Sequence, residues 1–347
     1  MQDGWVYAAD RHRQSMNAVG AVGRFPALCR FSPEYRREPP HPVRGRPFGA
    51  VCQRRAKWFR LVRDNMPDVI TSRDNKWLKQ FRSALRGTGP RDGEAIGVEG
   101  PKLIEEALRS GLEAEALLVS EDGERAVAKI FRAAGASDAG IPSSRVLRTT
   151  DPLFQGVSGT ESPQGVAALF RQRAWNFEDL LRGPGELRAA SPLVIVLAAV
   201  QDPGNVGTIL RSAEAFGATG AVATRGTGDP WSPKALRASA GSALRLPLLR
   251  GMAIPVVLAQ LKMARVQIYA ASSARREGRG EPDLREPAAI FVGNESSGVP
   301  AEVTRAADAV ITIPMADTVE SLNAGVAASL VLYEAARQRN AAAKGDA

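Results

Sequence analysis

From Leu193 onward the chain repeats one pattern: a short apolar run suited to burial on both faces, then a stretch of helical period, then another run. The first is Leu193-Val194-Ile195-Val196-Leu197, and further strands are expected at Gly220–Ala223, Gln267–Ala270, Ala289–Val292 and Val310–Ile313. Between them, Val206, Ile209, Leu210, Ala213 and Phe216 share one helical face, and Thr318–Gln338 reads as a long final helix. Strands separated by helices require crossover connections, so the pattern predicts an α/β fold with a mostly parallel sheet covered on both faces. Ligands of such sheets bind beyond the carboxyl ends of the strands, which directs attention to the loops after Val200, Val292 and Ile313.

A chain of 347 residues, 44% apolar, has material for a second core. A smaller α/β domain is predicted in front, with helices over Asn75–Leu85, Pro101–Ser110 and Ala126–Ala134 and strands over Glu94–Val98, Ala116–Val119, Val146–Leu147 and Gly165–Leu169. The expected organisation is therefore an extension over 1–69, a small domain over 70–172, a linker over 173–191 with a helical turn or two, a second domain over 192–340 and a tail over 341–347. The extension mixes Arg, Pro and scattered aromatics without a sustained period and reads as disordered, or as lying upstream of a true start at Met66.

The net charge of +9 points to nucleic acid, but residues 1–70 hold 13 Lys/Arg against 6 Asp/Glu, and the remainder is nearly balanced at 33 against 31. Charge alone is thus weak support for an RNA partner. The inventory of reactive side chains says more. His12, His41, Cys29 and Cys52 are the only histidines and cysteines, which excludes a thiol nucleophile, an imidazole base and a Cys/His metal site from both domains. Chemistry there must use Arg, Lys, Ser, Asn or carboxylates. No apolar run approaches a membrane span and no secretory signal pattern is seen, so a soluble cytoplasmic protein without metal or membrane is expected.

Each of the three loops carries polar residues that packing does not demand. The first, Asp202-Pro203-Gly204-Asn205-Val206-Gly207, offers glycines for close backbone approach, Asn205 as a helix cap, and Arg211 nearly two turns along. Its glycine spacing fits neither the dinucleotide nor the phosphate-loop fingerprint. The second, Gly293-Asn294-Glu295-Ser296-Ser297-Gly298-Val299-Pro300, adds an amide and a carboxylate at the end of a buried strand; Ser297 or a polar neighbour could instead be capping a helix at Pro300. The third runs from Ile313-Pro314-Met315 to Ser321-Leu322-Asn323, followed by small residues suited to helix packing.

In this order, Asn-x-Gly-x-x-x-Arg, Gly-Asn-Glu-x-x-Gly and Ile-Pro-Met followed by Ser-Leu-Asn closely resemble the motifs of the SpoU/TrmH family of SPOUT methyltransferases. Ala95–Gly100 and Val157–Val166 resemble, more loosely, the small RNA-binding domain fused to many members. The resemblance implies a trefoil-knotted C-terminal sheet, S-adenosyl-L-methionine as cofactor, RNA as partner, a homodimer, and methyl transfer to a ribose 2′-hydroxyl, with ribosomal RNA favoured by the fused domain. It also implies residue roles: Gly293, Asn294, Gly298, Ile313, Met315 and Leu322 against the cofactor, and Arg211, Asn205, Glu295, Ser321 and Asn323 in the catalytic site. The family's assignment of Arg211 as a base sits awkwardly with a guanidinium that stays protonated; pairing with phosphate, orienting the hydroxyl and stabilising alkoxide charge suit it better. The alternatives are a transfer-RNA 2′-O-methyltransferase, a base methyltransferase of the same fold, and a non-catalytic RNA-binding or ribosome-assembly protein.

Overall fold

The computed structural model describes residues 69–87, 89–133, 145–184, 191–272, 282–294, 296–316 and 318–345. All but its last residue of the extension expected over 1–69 lies outside them.

The small domain is a four-stranded sheet of β1 (Ile96–Glu99), β2 (Ala114–Ser120), β3 (Val146–Thr149) and β4 (Val166–Phe170), in the order β1-β4-β2-β3. β4 runs antiparallel to both neighbours, whereas β2 and β3 are parallel. Helix α1 (Lys76–Arg86) starts where expected, because the Asn75 side chain accepts the Trp77 N–H. With α4 (Asp151–Val157), α1 packs Leu78, Phe81, Leu85 and Phe154 on one face of the sheet. Helices α2 (Pro101–Arg109) and α3 (Glu124–Ala133) bury Ile104, Ala107 and Ile130 on the other. The sequence did not mark α4, a single short helix led by Asp151-Pro152 with no side-chain cap bond.

The stretch read as a linker carries α5 (Phe177–Arg182), started by a capping box in which Asn176 and Asp179 exchange side-chain and backbone bonds. Its Leu180 is fully buried, and a Cβ at Gly220 would lie 2.7 Å from that side chain, so the segment is part of the second domain's packing.

The second domain holds a six-stranded sheet in the order β10-β8-β9-β5-β6-β7, every pairing parallel: β5 (Leu193–Ala198), β6 (Gly220–Thr224), β7 (Leu248–Met252), β8 (Gln267–Ser272), β9 (Ala288–Gly293) and β10 (Ala309–Thr312). Alternation along β5 decides what covers each face. Leu193, Ile195 and Leu197 pack with Val206, Ile209 and Leu210 of α6 (Pro203–Ala215) and with Ala328, Val331 and Leu332 of α11 (Ala324–Gly345). Val194, Val196 and Ala198 pack instead with Leu180 of α5, Val257 and Leu261 of α9 (Ile254–Met263) and Val303 of α10 (Ala301–Ala306). Between β6 and β7 lie the short helices α7 (Pro233–Ser239) and α8 (Ser242–Arg245). Edge strand β7 was missed because Arg250 and Gly251 interrupt its apolar run.

Three local expectations are corrected. Helix α6 is capped by Asp202, not Asn205: the Asp202 carboxylate accepts the Gly204 and Asn205 N–H groups at 2.6 and 3.0 Å, with Pro203 at the first helical position. Neither Ser297 nor another polar side chain caps α10, whose N-cap is Pro300. The last helix begins at Ala324, six residues later than expected from Thr318, because Asn323 Oδ1 accepts the N–H groups of Gly325 and Val326. Ser321, Leu322 and Asn323 therefore stay in irregular chain ahead of the helix.

Candidate active site

Register places Ala198 of β5 opposite Gly293 of β9, so the loops leaving these central strands start at one level. Beside them, at the carboxyl ends of β8, β9 and β10, opens a cavity of about 390 Å³ walled by Ala270–Ser272, by Val292–Asn294 and Ser296–Val299, and by Ile313, Met315, Ser321 and Leu322. Its size is that of a small-molecule site.

The 293–298 loop is held shut by its own backbone. Gly298 donates its N–H to the Asn294 carbonyl at 2.8 Å, and the two residues form an isolated antiparallel bridge. Gly298 has φ +66°, the left-handed region that suits glycine. Gly293 is required for a different reason: a Cβ there would fall 2.1 Å from the Gly298 carbonyl group. The Asn294 side chain ties this loop to the next, donating to the Ala199 carbonyl at 3.3 Å and accepting from Ser296 N–H and Oγ–H at 2.9 and 2.7 Å. Ala199 itself sits at φ +59°, an unusual conformation for a residue with a Cβ.

Helices α6 and α11 lie side by side next to the cavity. Asn323 Nδ2 donates to Asn205 Oδ1 at 3.0 Å, Ser212 and Ser329 share a hydroxyl bond of 2.7 Å, and a Cβ at Gly325 would lie 3.1 Å from Thr208. Residues 205, 208 and 212 form the stripe of α6 that faces α11. With the cap supplied by Asp202, the Asn205 amide is left to bond Asn323. Asp202 is held below its ordinary carboxyl value chiefly by the hydrogen bond from Lys234, helped by the Asn205 N–H. Arg211 is exposed on α6 and makes no hydrogen bond or ion pair among the described residues.

Of the residues singled out from sequence, Gly293, Asn294, Gly298, Ile313, Met315 and Leu322 all line the cavity, and Ser321 lines it with them. Asn205 and Asn323 are brought together beside it, Arg211 lies outside its lining, and Glu295 lies outside the described residues. The carboxyl end of β8 was missed as a wall. Its strand was recognised, but only the strand order reveals that it adjoins β9 and β10. Among the described residues, no cluster of His, Cys, Asp and Glu could hold a metal ion.

Comparison with known proteins agrees with this architecture. Residues 192–333 match the SpoU rRNA Methylase family, and residues 84–168 match the MRM3-like substrate binding domain. The chain is 31% identical over 264 residues to the 23S rRNA (guanosine(2553)-2′-O)-methyltransferase RlmP of Bacillus subtilis, covering 76% of this chain and 97% of the relative. The AdoMet-bound rRNA methyltransferase of Sinorhizobium meliloti superposes with a TM-score of 0.63 at 28% identity, over 78% of this chain and 97% of that one. The SpoU methyltransferase AviRb of Streptomyces viridochromogenes, solved with AdoMet, gives 0.62 at 25% identity over 77% and 98%. A parallel α/β sheet with a closed-loop cavity at its carboxyl edge, preceded by a small substrate-binding domain, defines an S-adenosylmethionine-dependent methyltransferase of the SPOUT class. Within that class, the chain belongs to the SpoU rRNA methylase family.

Proposed function

We propose that this protein transfers a methyl group from S-adenosylmethionine to a ribose 2′-hydroxyl of ribosomal RNA, acting in the cytoplasm as a homodimer whose C-terminal segments follow the family's knotted path. The observation that carries the proposal is a cavity of cofactor size at the carboxyl ends of the strands, lined by Gly293, Ile313, Ser321 and Leu322, with the Asn205–Asn323 pair beside it. The cavity fits the cofactor: it has apolar walls such as Val292 and Leu322, and backbone and hydroxyl groups supplied by Gly293, Ser296 and Ser321. Gly293, Asn294, Gly298, Ile313, Met315 and Leu322 would hold it. Asn294 serves by shape, since its side chain is committed to Ala199 and Ser296. When bound, the cofactor supplies an electrophilic methyl group.

The chain's own task is to bring a ribose hydroxyl into line and tolerate the charge that develops on its oxygen. Arg211 is suited to both, because a permanently charged guanidinium that has no partner among the described residues can pair with the neighbouring phosphate and stabilise an alkoxide. Asn205, Ser321, Asn323 and Glu295 complete the polar site. A second copy fits the outer face of α11, where Val326, Leu330 and Tyr333 are about half exposed at a spacing that forms one apolar stripe.

The test is incubation with S-adenosylmethionine and ribosomal RNA, followed by mass spectrometry of the nucleosides. A 2′-O-methylnucleoside is expected; a methylated base or no product overturns the proposal. Arg211→Ala should abolish transfer while cofactor affinity stays within about twofold, and lost affinity would move Arg211 into the cofactor site.

A further inference from the structure

Two arginines of the second domain, Arg245 and Arg250, reach into the small domain, and each also grips an element that supports the active site. Arg245, the last residue of α8, forks onto Glu214 of α6 at 2.6 and 2.7 Å and gives its remaining nitrogen to Glu106 of α2 at 2.7 Å. Glu214 lies three residues beyond Arg211 on the same helix. The turn leading into α8 passes close to Glu106 because Gly241 adopts φ +89°, where a Cβ would approach the Glu106 side chain to 3.2 Å.

Arg250 of β7 is the more enclosed of the two, with its side chain 17% exposed. It bonds Asp229, the Pro90 carbonyl at 2.5 Å and Asp92 at 2.9 Å, and its guanidinium lies 4.9 Å from the Trp231 ring. Gln172, at the end of the small domain, locks the same loop by donating to the Arg91 and Glu94 carbonyls. Asp229 belongs to the loop after β6, which in turn braces the loop that starts α6. Gly228 N–H donates to the Val200 carbonyl at 2.9 Å, Thr227 Oγ to Leu197 at 2.8 Å, and a Cβ at Gly228 would lie 2.6 Å from the Gln201 carbonyl. Apolar contact runs between the same elements: Ile96, Val98 and Ile104 share one buried cluster with Trp231, Leu236 and Leu244.

We propose that Arg245 and Arg250 are positioning residues, a two-arginine clasp that fixes the substrate-binding domain against α6 and so selects which nucleotide of a bound RNA reaches Arg211. The clasp rests on the methyl-transfer function proposed above. Its chemistry favours orientation over bulk stability. Partly buried ion pairs contribute little net stability after desolvation, whereas a guanidinium shared among three or more acceptors fixes both distance and angle. One RNA must engage both domains, so a fixed span raises the effective concentration of the target ribose at the site. A loosened span lowers it for the correct nucleotide and admits its neighbours. Cofactor binding, which uses neither arginine, should be indifferent.

The experiment uses the full chain with Cys29 and Cys52 replaced by serine and spin labels on cysteines placed at Lys102 and Lys262, one in each domain. Electron–electron distance measurement should give a narrow distribution in the parent and a broad one in the Arg245→Ala/Arg250→Ala variant; an equally narrow distribution overturns the clasp. In parallel, the variant should show a KM for ribosomal RNA raised about tenfold, within the usual range of coupling energies, and methylation spread to neighbouring riboses. Its kcat at saturating RNA and its cofactor affinity should change less than about threefold. Should the double variant fail to fold, Arg245→Lys/Arg250→Lys keeps both charges but loses the fork, and the same shift in KM and selectivity is expected. Unchanged selectivity in a folded variant with a broadened distance overturns the selecting role. A parent that binds cofactor but methylates no RNA overturns the proposed function, and the selecting role with it, while the distance distributions still decide whether the clasp exists.

Discussion

Replacement of Gly293 by alanine tests the closed loop that forms the cavity wall. The added Cβ would stand 2.1 Å from the Gly298 carbonyl carbon and oxygen and 2.3 Å from Val299 N, against an ordinary carbon contact of about 3.5 Å. All three obstacles are backbone, so no rotamer change relieves them, and the loop must retreat by about an ångström or more. Overpacking of this kind costs about 1–3 kcal/mol. The Gly298 N–H bond to the Asn294 carbonyl lies in the same displaced segment and weakens with it. Because the 293–298 loop walls the cavity, the cost should appear in cofactor binding, as a Kd for S-adenosylmethionine weakened about 5- to 150-fold in calorimetric titration. Gly298→Ala is the control. Its Cβ would meet nothing within 4 Å, so only the left-handed φ of +66° is penalised, by about 1–2 kcal/mol of stability, with the wall left in place. Cofactor affinity should therefore fall much further for Gly293→Ala than for Gly298→Ala. An unchanged Kd in a normally folded Gly293→Ala protein, or equal losses in the two variants, would refute the assignment of this loop as the cofactor wall.

Asp202→Ala removes the cap of α6 and should lower stability by about 1 kcal/mol in denaturant unfolding, with Asp202→Asn losing only a few tenths. Because Lys234 and the helix N–H groups hold the Asp202 carboxyl below its ordinary value of 3.8, its contribution should be complete above that pH and lost as the pH falls through the lowered value. An Asp202→Ala protein as acid-sensitive as the parent contradicts that account. Leu330→Glu places a charge in the exposed stripe of α11 and should convert the proposed dimer to monomer in analytical ultracentrifugation without lowering the unfolding midpoint; a parent that sediments as a monomer overturns the proposed dimer, and a dimer unaltered by the substitution means that the interface lies elsewhere.

Much of this molecule is local in origin and was readable as such. Runs such as Leu193–Leu197 are strands because every position is apolar, and Asn75 starts a helix because its side chain reaches the next turn. In the second and third loops the polar residues stood out because capping and packing account for the glycines and small residues but not for Glu295, Ser321 or Asn323, whereas Asn205 and Arg211, readable also as a cap and a solvated side chain, gained meaning only from the order of the three motifs. The near-absence of His and Cys excluded whole chemistries before any fold was known. Local signals failed where two of them competed. Asp202 and Asn205 are both good caps, and only the Asn323 bond shows why the first caps and the second does not. Thr318–Asn323 has a composition that a helix tolerates, yet Asn323 starts the helix after it.

Strand order, by contrast, is set by pairings between residues scores of positions apart. No short-range period records that β9 lies between β8 and β5, or that β8 thereby becomes a wall of the cavity. The same holds for Arg245 and Arg250, which look like ordinary surface arginines in the chain. They become the link between domains only when folding brings Glu106, Glu214, Asp229 and Pro90 to their guanidinium groups. The sequence by itself determined the elements, the exclusions and the polar residues available for chemistry. Tertiary structure decided which of those residues meet, because meeting depends on contacts between distant segments that local propensity does not encode.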